Sequence, residues 1–383
     1  MKKQCYLLLS LTFLLLLPLS SWAKKPHATQ TPTVTATPTD TATSTITDTP
    51  TITPTVNVAL GHKFYTFDTL WNGSSDPIND PEAIAIAPSG HMVIADSGNN
   101  RVVVWDADGK PLKSIGSFGP RADWRNPPQF NDPCGLYVDP SKKLYVADTQ
   151  NNRVVILDET GMVLSTWGTQ GSAPGQFNQP RAIDVDHFGN FWVLDSGNSR
   201  VEIFSAGGQY NATFGSFGTG DYLLNYPLDM AINNIDQAIV ADTGNFRFEV
   251  FNNGGAGVTQ EGWLGDGPYQ FKEPGGLIVT KEGWVAIVDG QNNGINFYNS
   301  RNGQYEFIGM WRAKDETIAP NYSPHFRAIA CDAQDRLYLT DIKNNMIIRL
   351  KPINKGETSL LPPTPTPTPA VVSPYGGNGY PIR

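Results

Sequence analysis

The feature that most constrains this chain is a short pattern that recurs six times in its 383 residues. In each copy an apolar run leads to an aspartate, and in the first four copies an asparagine follows three residues later and an arginine five residues later. A unit repeated at a near-constant period predicts stacked structural repeats that share one core. The aspartates, spaced by 52, 47, 47, 47 and 52 residues, are Asp96, Asp148, Asp195, Asp242, Asp289 and Asp341.

A second landmark lies fifteen residues before the aspartate. It is a proline in the first five copies, at Pro81, Pro133, Pro180, Pro227 and Pro274, and Phe326 takes its place in the sixth. The first unit then contains four short β-rich runs separated by turn residues, at 83–87, 92–95, 102–105 and 112–118. The third run is apolar on both faces, as expected of a strand between neighbouring sheets. Each unit is therefore predicted to be a four-stranded antiparallel blade.

The proline, the apolar run and the Asp-x-x-Asn-x-Arg-apolar signature resemble NHL repeats over essentially all of residues 60–353. The resemblance implies an all-β fold, a six-bladed β-propeller with four antiparallel strands per blade. Gly294 and Met346 replace the arginine in copies five and six, so we expect those blades to be packed or capped differently. The sixth unit lacks a fourth run, and residues 64–71 have the alternation of one. We predict that this N-terminal strand completes blade six and closes the ring.

Residues that recur at equal positions are expected to build the fold, because chemistry needs one asymmetric site. Aspartate and asparagine side chains are predicted to close the loop on local backbone amides, with Gly98 at a positive φ. The arginine, with five donors, is predicted to bind that loop or an adjacent blade. These structural residues are Asp96, Asn99, Arg101, Asp148, Asn151, Arg153, Asp195, Asn198, Arg200, Asp242, Asn245 and Arg247.

The flanks of the repeat region predict export. Residues 1–23 have the basic start, the apolar run and the small-x-small end of a signal peptide, and a retained membrane anchor is the alternative. Residues 24–59 and 354–383 are rich in Thr and Pro and are expected to be a disordered spacer and tail. We expect a secreted or envelope protein, bacterial in type, whose membrane attachment depends on the retained segment.

Catalytic and metal patterns are sparse. The candidate ligands His62, His91, His187 and His325 are not spaced for a three-histidine site, and no metal site or cofactor is predicted, although Asp-rich loops leave calcium open. Cys134 and Cys331 fall at different depths of non-adjacent blades, so we expect two free thiols.

Charge separates the possible partners. The chain has 28 basic and 36 acidic side chains, a formal charge of −8. An acidic, exported domain lacks the cationic surface that nucleic acids require, so no nucleic-acid partner is expected. We expect a monomer that binds a protein, a peptide, or a polar small molecule or glycan. The alternative function is a propeller enzyme, of lyase or lactonase type, with a metal-dependent site in the central channel.

The longer 52-residue spacings place the candidate binding site. They lengthen the connections into blades two and six, which are predicted to stand above one rim of the channel. Ordinary solvated loops are the alternative. Aromatic and arginine side chains there, with charges next to the inner prolines, are typical of binding surfaces. The candidate ligand-binding residues are Glu82, Arg121, Trp124, Arg125, Arg181, Tyr322 and Arg327.

Overall fold

The apolar runs of each repeat form a four-stranded antiparallel sheet in the computed structural model, which describes residues 64–120, 128–301, 304–318 and 321–353. The predicted segments 1–23, 24–59 and 354–383 and the residues His62, Arg121, Trp124 and Arg125 lie outside this described part. Within it, no helix is long and apolar enough to span a bilayer.

The strands follow the predicted order, from an inner first strand to an outer fourth one, in every blade. Blades 1 to 3 consist of Pro81–Ile86, Met92–Asp96, Arg101–Trp105 and Pro111–Ile115; Pro133–Val138, Leu144–Asp148, Arg153–Leu157 and Val163–Trp167; and Pro180–Val185, Phe191–Asp195, Arg200–Phe204 and Tyr210–Phe214.

Blades 4 to 6 consist of Asp229–Ile232, Ala238–Asp242, Arg247–Phe251 and Gly257–Glu261; Pro274–Val279, Trp284–Asp289, Gly294–Arg301 and Gln304–Arg312; and Phe326–Cys331, Leu337–Asp341, Met346–Ile353 and Phe64–Trp71. Short parallel pairs join Ser117–Phe118 to Gln129–Phe130 and Trp263–Leu264 to Gln270–Phe271. One-turn 3₁₀ helices lie at Ser97–Asn99, Thr149–Asn151, Ser196–Asn198, Thr243–Asn245 and Ala313–Asp315.

The six inner strands contact one another in sequence and form a ring, so the prediction of a six-bladed β-propeller is confirmed. The core lies between the blades. Each pair of neighbouring blades shares one cluster of buried apolar side chains, such as Phe130 with Val93 and Val146 between blades 1 and 2. Burial of both faces of the middle strands explains why their sequences are continuous apolar runs.

The N-terminal strand closes the ring, as predicted. Residues 64–71 pair antiparallel with 347–353, the third strand of blade 6. Tyr65 is buried and stacks on Phe297 of blade 5 at 5.5 Å between ring centroids. Arg349 Nε donates to Asp68 Oδ2 at 2.6 Å across the same pair of strands. The first and last segments of the propeller therefore belong to one sheet.

Candidate functional site

The recurrent aspartate closes the same loop in each blade. Asp96 is fully buried, and its Oδ1 accepts a hydrogen bond from the amide of Asn79 at 2.7 Å. Its Oδ2 accepts from Arg101 Nε at 2.5 Å, and Asn99 Nδ2 donates to both carboxylate oxygens. Several donors therefore offset the cost of burying this charge. We call the end of the propeller that carries the six aspartate loops the loop face.

The prediction of a positive φ at Gly98 is wrong. Asn100, the residue before the third strand, has the left-handed conformation instead, with φ 56°. Gly98 has a different function, because its amide donates to Asn79 O at 2.9 Å and a Cβ would approach Asn79 Nδ2 to 2.3 Å.

The loops also bind the next blade, which sequence reasoning missed. The hydroxyl after the aspartate donates to the carbonyl of the next blade's proline, for example from Thr149 to Pro180 O at 2.8 Å. Asn152 accepts from the amide of Gln179 at 2.9 Å, and Asn345 accepts from the amide of Asp80 at 2.8 Å, which links blade 6 to blade 1. The signal in the sequence was the Ser or Thr that follows four of the aspartates.

The departures in blades 5 and 6 have separate structural explanations. Arg312, from the fourth strand of blade 5, is buried against Gly294, where a Cβ would lie 2.6 Å from its Cδ. In blade 6 the hydroxyl of Tyr322 donates to Asp341 Oδ2 at 2.6 Å, the position that arginine takes in the first four blades. Tyr322, a candidate ligand-binding residue, thus contacts the aspartate loop of its own blade.

The six inner strands enclose a cavity of about 420 Å³. Because every inner strand starts at the loop face, the residue after each proline, or after Phe326 in blade 6, lies at that mouth of the channel. Three of these residues are charged and line the cavity, namely Glu82, Arg181 and Arg327. Further along, the cavity is lined by apolar side chains such as Leu136 and Ile278 and by the carboxyls of Asp184 and Asp229.

The three predicted charges contact one another across the ring. Arg181 Nη1 of blade 3 donates to Glu82 Oε2 of blade 1 at 3.1 Å. Arg327 Nε of blade 6 lies 3.4 Å from the same oxygen. The ring of Tyr226, exposed at the start of blade 4, lies beneath the Arg181 guanidinium at 5.8 Å. The structure therefore brings Glu82, Arg181 and Arg327 together as one group.

Sequence reasoning missed the other charges of the mouth, which precede the inner prolines or their equivalent. Arg327 Nη1 donates to Glu273 Oε1 at 3.0 Å, and His325 Nε2 lies 3.1 Å from Glu273 Oε2. Burial, followed by the negative charges of Glu82 and Asp132, raises the pKa of Asp80. We define the mouth cluster as Asp80, Glu82, Asp132, Arg181, Glu273, His325 and Arg327.

Two more carboxyls lie inside the ring. Asp184 accepts from the amide of Ile232 at 2.7 Å, and Asp229 accepts from the amide of Leu277 at 2.8 Å, so each binds the backbone of the next blade. Burial raises the pKa of Asp184 to about 6 and that of Asp229 to about 7. These carboxyls join inner strands along the channel wall.

A second pair of carboxyls is buried behind the loop arginines. Glu202 lies 3.1 Å from Arg200 Nη2, and Glu249 lies 2.5 Å from Arg247 Nη2. Each arginine also binds the loop aspartate of its blade, so one cation serves two carboxyls. Burial raises the pKa of Glu202 to about 7 and that of Glu249 to about 8.

Large apolar side chains are exposed on the loop face. The position 22 residues after the aspartate holds Phe118, Phe217 and Leu264, which are 67%, 73% and 59% exposed. Trp263 is 53% exposed and stacks on Tyr269 at 6.4 Å. Blade 2 has Gln170 at this position, so the fold does not require an apolar residue there.

The structure places the remaining chemical candidates apart. His91 and His187 lie at turns on the face opposite the loop face, whereas His325 belongs to the mouth cluster. Among the described residues no group of three or more His, Cys, Asp or Glu is arranged to hold a metal ion. Cys134 and Cys331 lie at opposite ends of inner strands and are not joined by a disulfide, and burial raises the pKa of Cys134.

Comparison with known proteins agrees with the repeat. The family model "NHL repeat" matches residues 79–105 and 130–157. "NHL repeat-containing protein 3" of Mus musculus is 36% identical over 69 residues, which are 17% of this chain and only 20% of the mouse protein.

Solved structures share the architecture. A streptogramin B lyase is 13% identical with a TM-score of 0.55, over 76% of this chain and 98% of the lyase. A protein of unknown function from Bacteroides thetaiotaomicron is 14% identical with a TM-score of 0.56, over 75% of this chain and 73% of that one. At these identities the likeness shows the fold alone.

Proposed function

Because this chain is an NHL-repeat protein folded as a six-bladed β-propeller, we propose that it acts as a binding module. Its ligand is a protein, a peptide, or a polar small molecule or glycan, and it binds on the loop face. The signal-like residues 1–23 support a site of action at the cell envelope or outside the cell.

The observation that carries this proposal is the combination of exposed aromatic side chains with a charged channel mouth on one face. Phe118, Phe217 and Trp263 lie just after the fourth strands, where the connections to the next inner strands begin, and those inner strands start at the mouth cluster. Leaving such side chains in water forgoes about 1.5–3 kcal/mol each relative to burial. Exposed apolar groups beside polar ones are typical of interaction sites.

The enzyme alternative is favoured by a different observation. His325 lies 3.1 Å from Glu273 at the channel mouth, and an imidazole oriented by a carboxylate can act as a general acid or base. The lyase named above is a fold neighbour at 13% identity, so its activity supports this alternative only through the fold.

The binding proposal is tested with two probes, a random-peptide phage library and a printed glycan array. We expect at least one binder whose affinity falls tenfold or more in the double variant Phe217→Ser with Leu264→Ser. The matched control is Phe188→Ser with Ile235→Ser, which removes two equally exposed side chains from turns on the opposite face. Failure of both probes, or equal loss in the two double variants, would contradict the proposal.

A further inference from the structure

We infer that the mouth cluster binds a zwitterion, with the ligand carboxylate at Arg181 and Arg327 and the ligand ammonium at Asp80 and Asp132. The chemical class is a free α-amino acid with an apolar side chain. This inference rests on the proposed function, because it specifies the polar ligand that the loop face takes.

The mouth arginines differ from the loop arginines in how many donors they use. Arg200 donates from Nε, Nη1 and Nη2 to four acceptors of its own blade and connection. Among the described residues Arg181 donates a hydrogen bond only to Glu82 and Arg327 only to Glu273. Arg181 Nε is buried without a hydrogen bond, and Arg327 Nε has only the ion-pair contact of 3.4 Å with Glu82 Oε2. A guanidinium has five N–H donors, so both can accept more partners.

The protein itself shows which group fits between these arginines. Glu82 Oε2 lies 3.1 Å from Arg181 Nη1 and 3.4 Å from Arg327 Nε, so one carboxylate oxygen already bridges blades 3 and 6. Guanidinium and carboxylate match in geometry and charge. A ligand carboxylate would supply acceptors for the N–H donors that the two guanidiniums leave unused.

The charge balance of the mouth cluster excludes a simple polyanion as the ligand and favours a ligand that also has a cationic group. The mouth cluster contains four carboxylates, Asp80, Glu82, Asp132 and Glu273, against the two guanidiniums of Arg181 and Arg327. Like charges close together repel, and the negative charges of Glu82 and Asp132 are, after burial, the next causes of the raised pKa of Asp80.

Two of these carboxylates are open to an ammonium. The Asp80 carboxylate accepts no hydrogen bond from the described residues, and Asp132 Oδ2 has a contact of 3.5 Å from Gln150 Nε2. An ammonium next to Asp80 and Asp132 would gain two partners and lower the repulsion among the carboxylates.

The space below the mouth selects the side chain of the ligand. The cavity of about 420 Å³ runs from Glu82, Arg181 and Arg327 past Leu136 and Ile278. The carboxyls of Asp184 and Asp229 also line it, and each accepts a hydrogen bond from a backbone amide of the next blade. This volume is within the range of about 300–1,000 Å³ that small-molecule sites occupy. An aliphatic side chain directed inward would bury its surface there.

The test compares three matched ligands by isothermal titration calorimetry on the full chain: L-leucine, 4-methylpentanoate, which lacks the ammonium, and 3-methylbutylamine, which lacks the carboxylate. We expect L-leucine to bind at least tenfold more tightly than either half-ligand. Undetectable binding of L-leucine, or equal affinity for 4-methylpentanoate, would overturn the inference.

Two variants assign the halves of the site. Arg181→Gln is expected to lower the affinity for L-leucine and 4-methylpentanoate at least tenfold without changing the affinity for 3-methylbutylamine. Asp80→Asn is expected to lower the affinity for L-leucine and 3-methylbutylamine without changing that for 4-methylpentanoate. Arg327→Gln repeats the first test if Arg181→Gln does not fold. Arg336→Gln, an ion-paired arginine at the opposite end of the inner strands, is the control and should change nothing. Equal effects of Arg181→Gln and Arg336→Gln would also overturn the inference.

The outcome is separable from that of the proposed function. If the phage or glycan binder is lost in the Phe217→Ser and Leu264→Ser variant while L-leucine does not bind, the loop face is a binding surface and the zwitterion site is wrong. If neither probe set binds, both proposals are wrong.

Discussion

Ring closure by the N-terminal strand can be tested with one substitution, Tyr65→Ala. Tyr65 is 5% exposed and stacks on Phe297 in the cluster between blades 5 and 6. Truncating a buried aromatic side chain to alanine costs about 3–5 kcal/mol, because burial energy is lost and a cavity remains. At about 2 °C per kcal/mol for a domain of this size, the melting temperature should fall by roughly 6–10 °C.

The assay is thermal unfolding followed by circular dichroism, with urea unfolding at 25 °C as a second measure. Thr69→Ala on the same strand is the matched control, because Thr69 is half-buried and a change there should be within about 0.5 kcal/mol. Deleting residues 60–72 removes the whole strand and should lower the melting temperature further. If Tyr65→Ala melted like the wild type, the strand would not be part of the closed ring.

The buried carboxyls predict how stability depends on pH and on one loop aspartate, and the sparse metal ligands predict the metal content of the purified chain. Burial raises the pKa of Glu202 to about 7 and that of Glu249 to about 8, so the folded chain keeps protons that the unfolded chain releases above about pH 4.5. The free energy of unfolding, measured by urea titration, should therefore fall as the pH rises from 5 to 8. Glu249→Gln should flatten that fall; equal pH slopes would contradict the reasoning. Asp148→Ala leaves Arg153 and the Asn131 amide without their acceptor and should cost about 3–5 kcal/mol in urea unfolding, against no change for Asp108→Ala at an exposed turn position. For the binding module we expect mass spectrometry of the purified chain to find no stoichiometric zinc or calcium, whereas one bound ion per chain would favour the enzyme alternative.

The aspartate loops and the middle strands could be predicted from the sequence, because they depend on interactions between residues that are close along the chain. A tight loop needs side chains that bind the nearby backbone, so Asp96 predicts the loop that it closes. A middle strand needs apolar residues on both faces, so the run 102–105 predicts such a strand. Gly98 was assigned the wrong conformation because Asn can also take a positive φ, and Asn100 does so here.

The links between blades could not be read in this way. The Thr149 hydroxyl donates to Pro180 O, 31 residues away, and neither segment has a sequence feature that indicates the other as its partner. The same holds for the two residues that replace the loop arginine in blades 5 and 6. Arg312 packs against Gly294 and Tyr322 binds Asp341, and both contacts depend on which side chains meet in the folded ring.

The sequence by itself determined the number of blades, the four strands in each and the strand that closes the ring, because the repeat period and the apolar pattern are properties of consecutive residues. It also placed Glu82, Arg181 and Arg327 at one end of the channel. Only the tertiary structure decided that both arginines contact Glu82, and that Glu273 and His325 join this group. The physical reason is that the mouth cluster forms across the ring, between residues up to 245 positions apart that a closed circle of blades brings together.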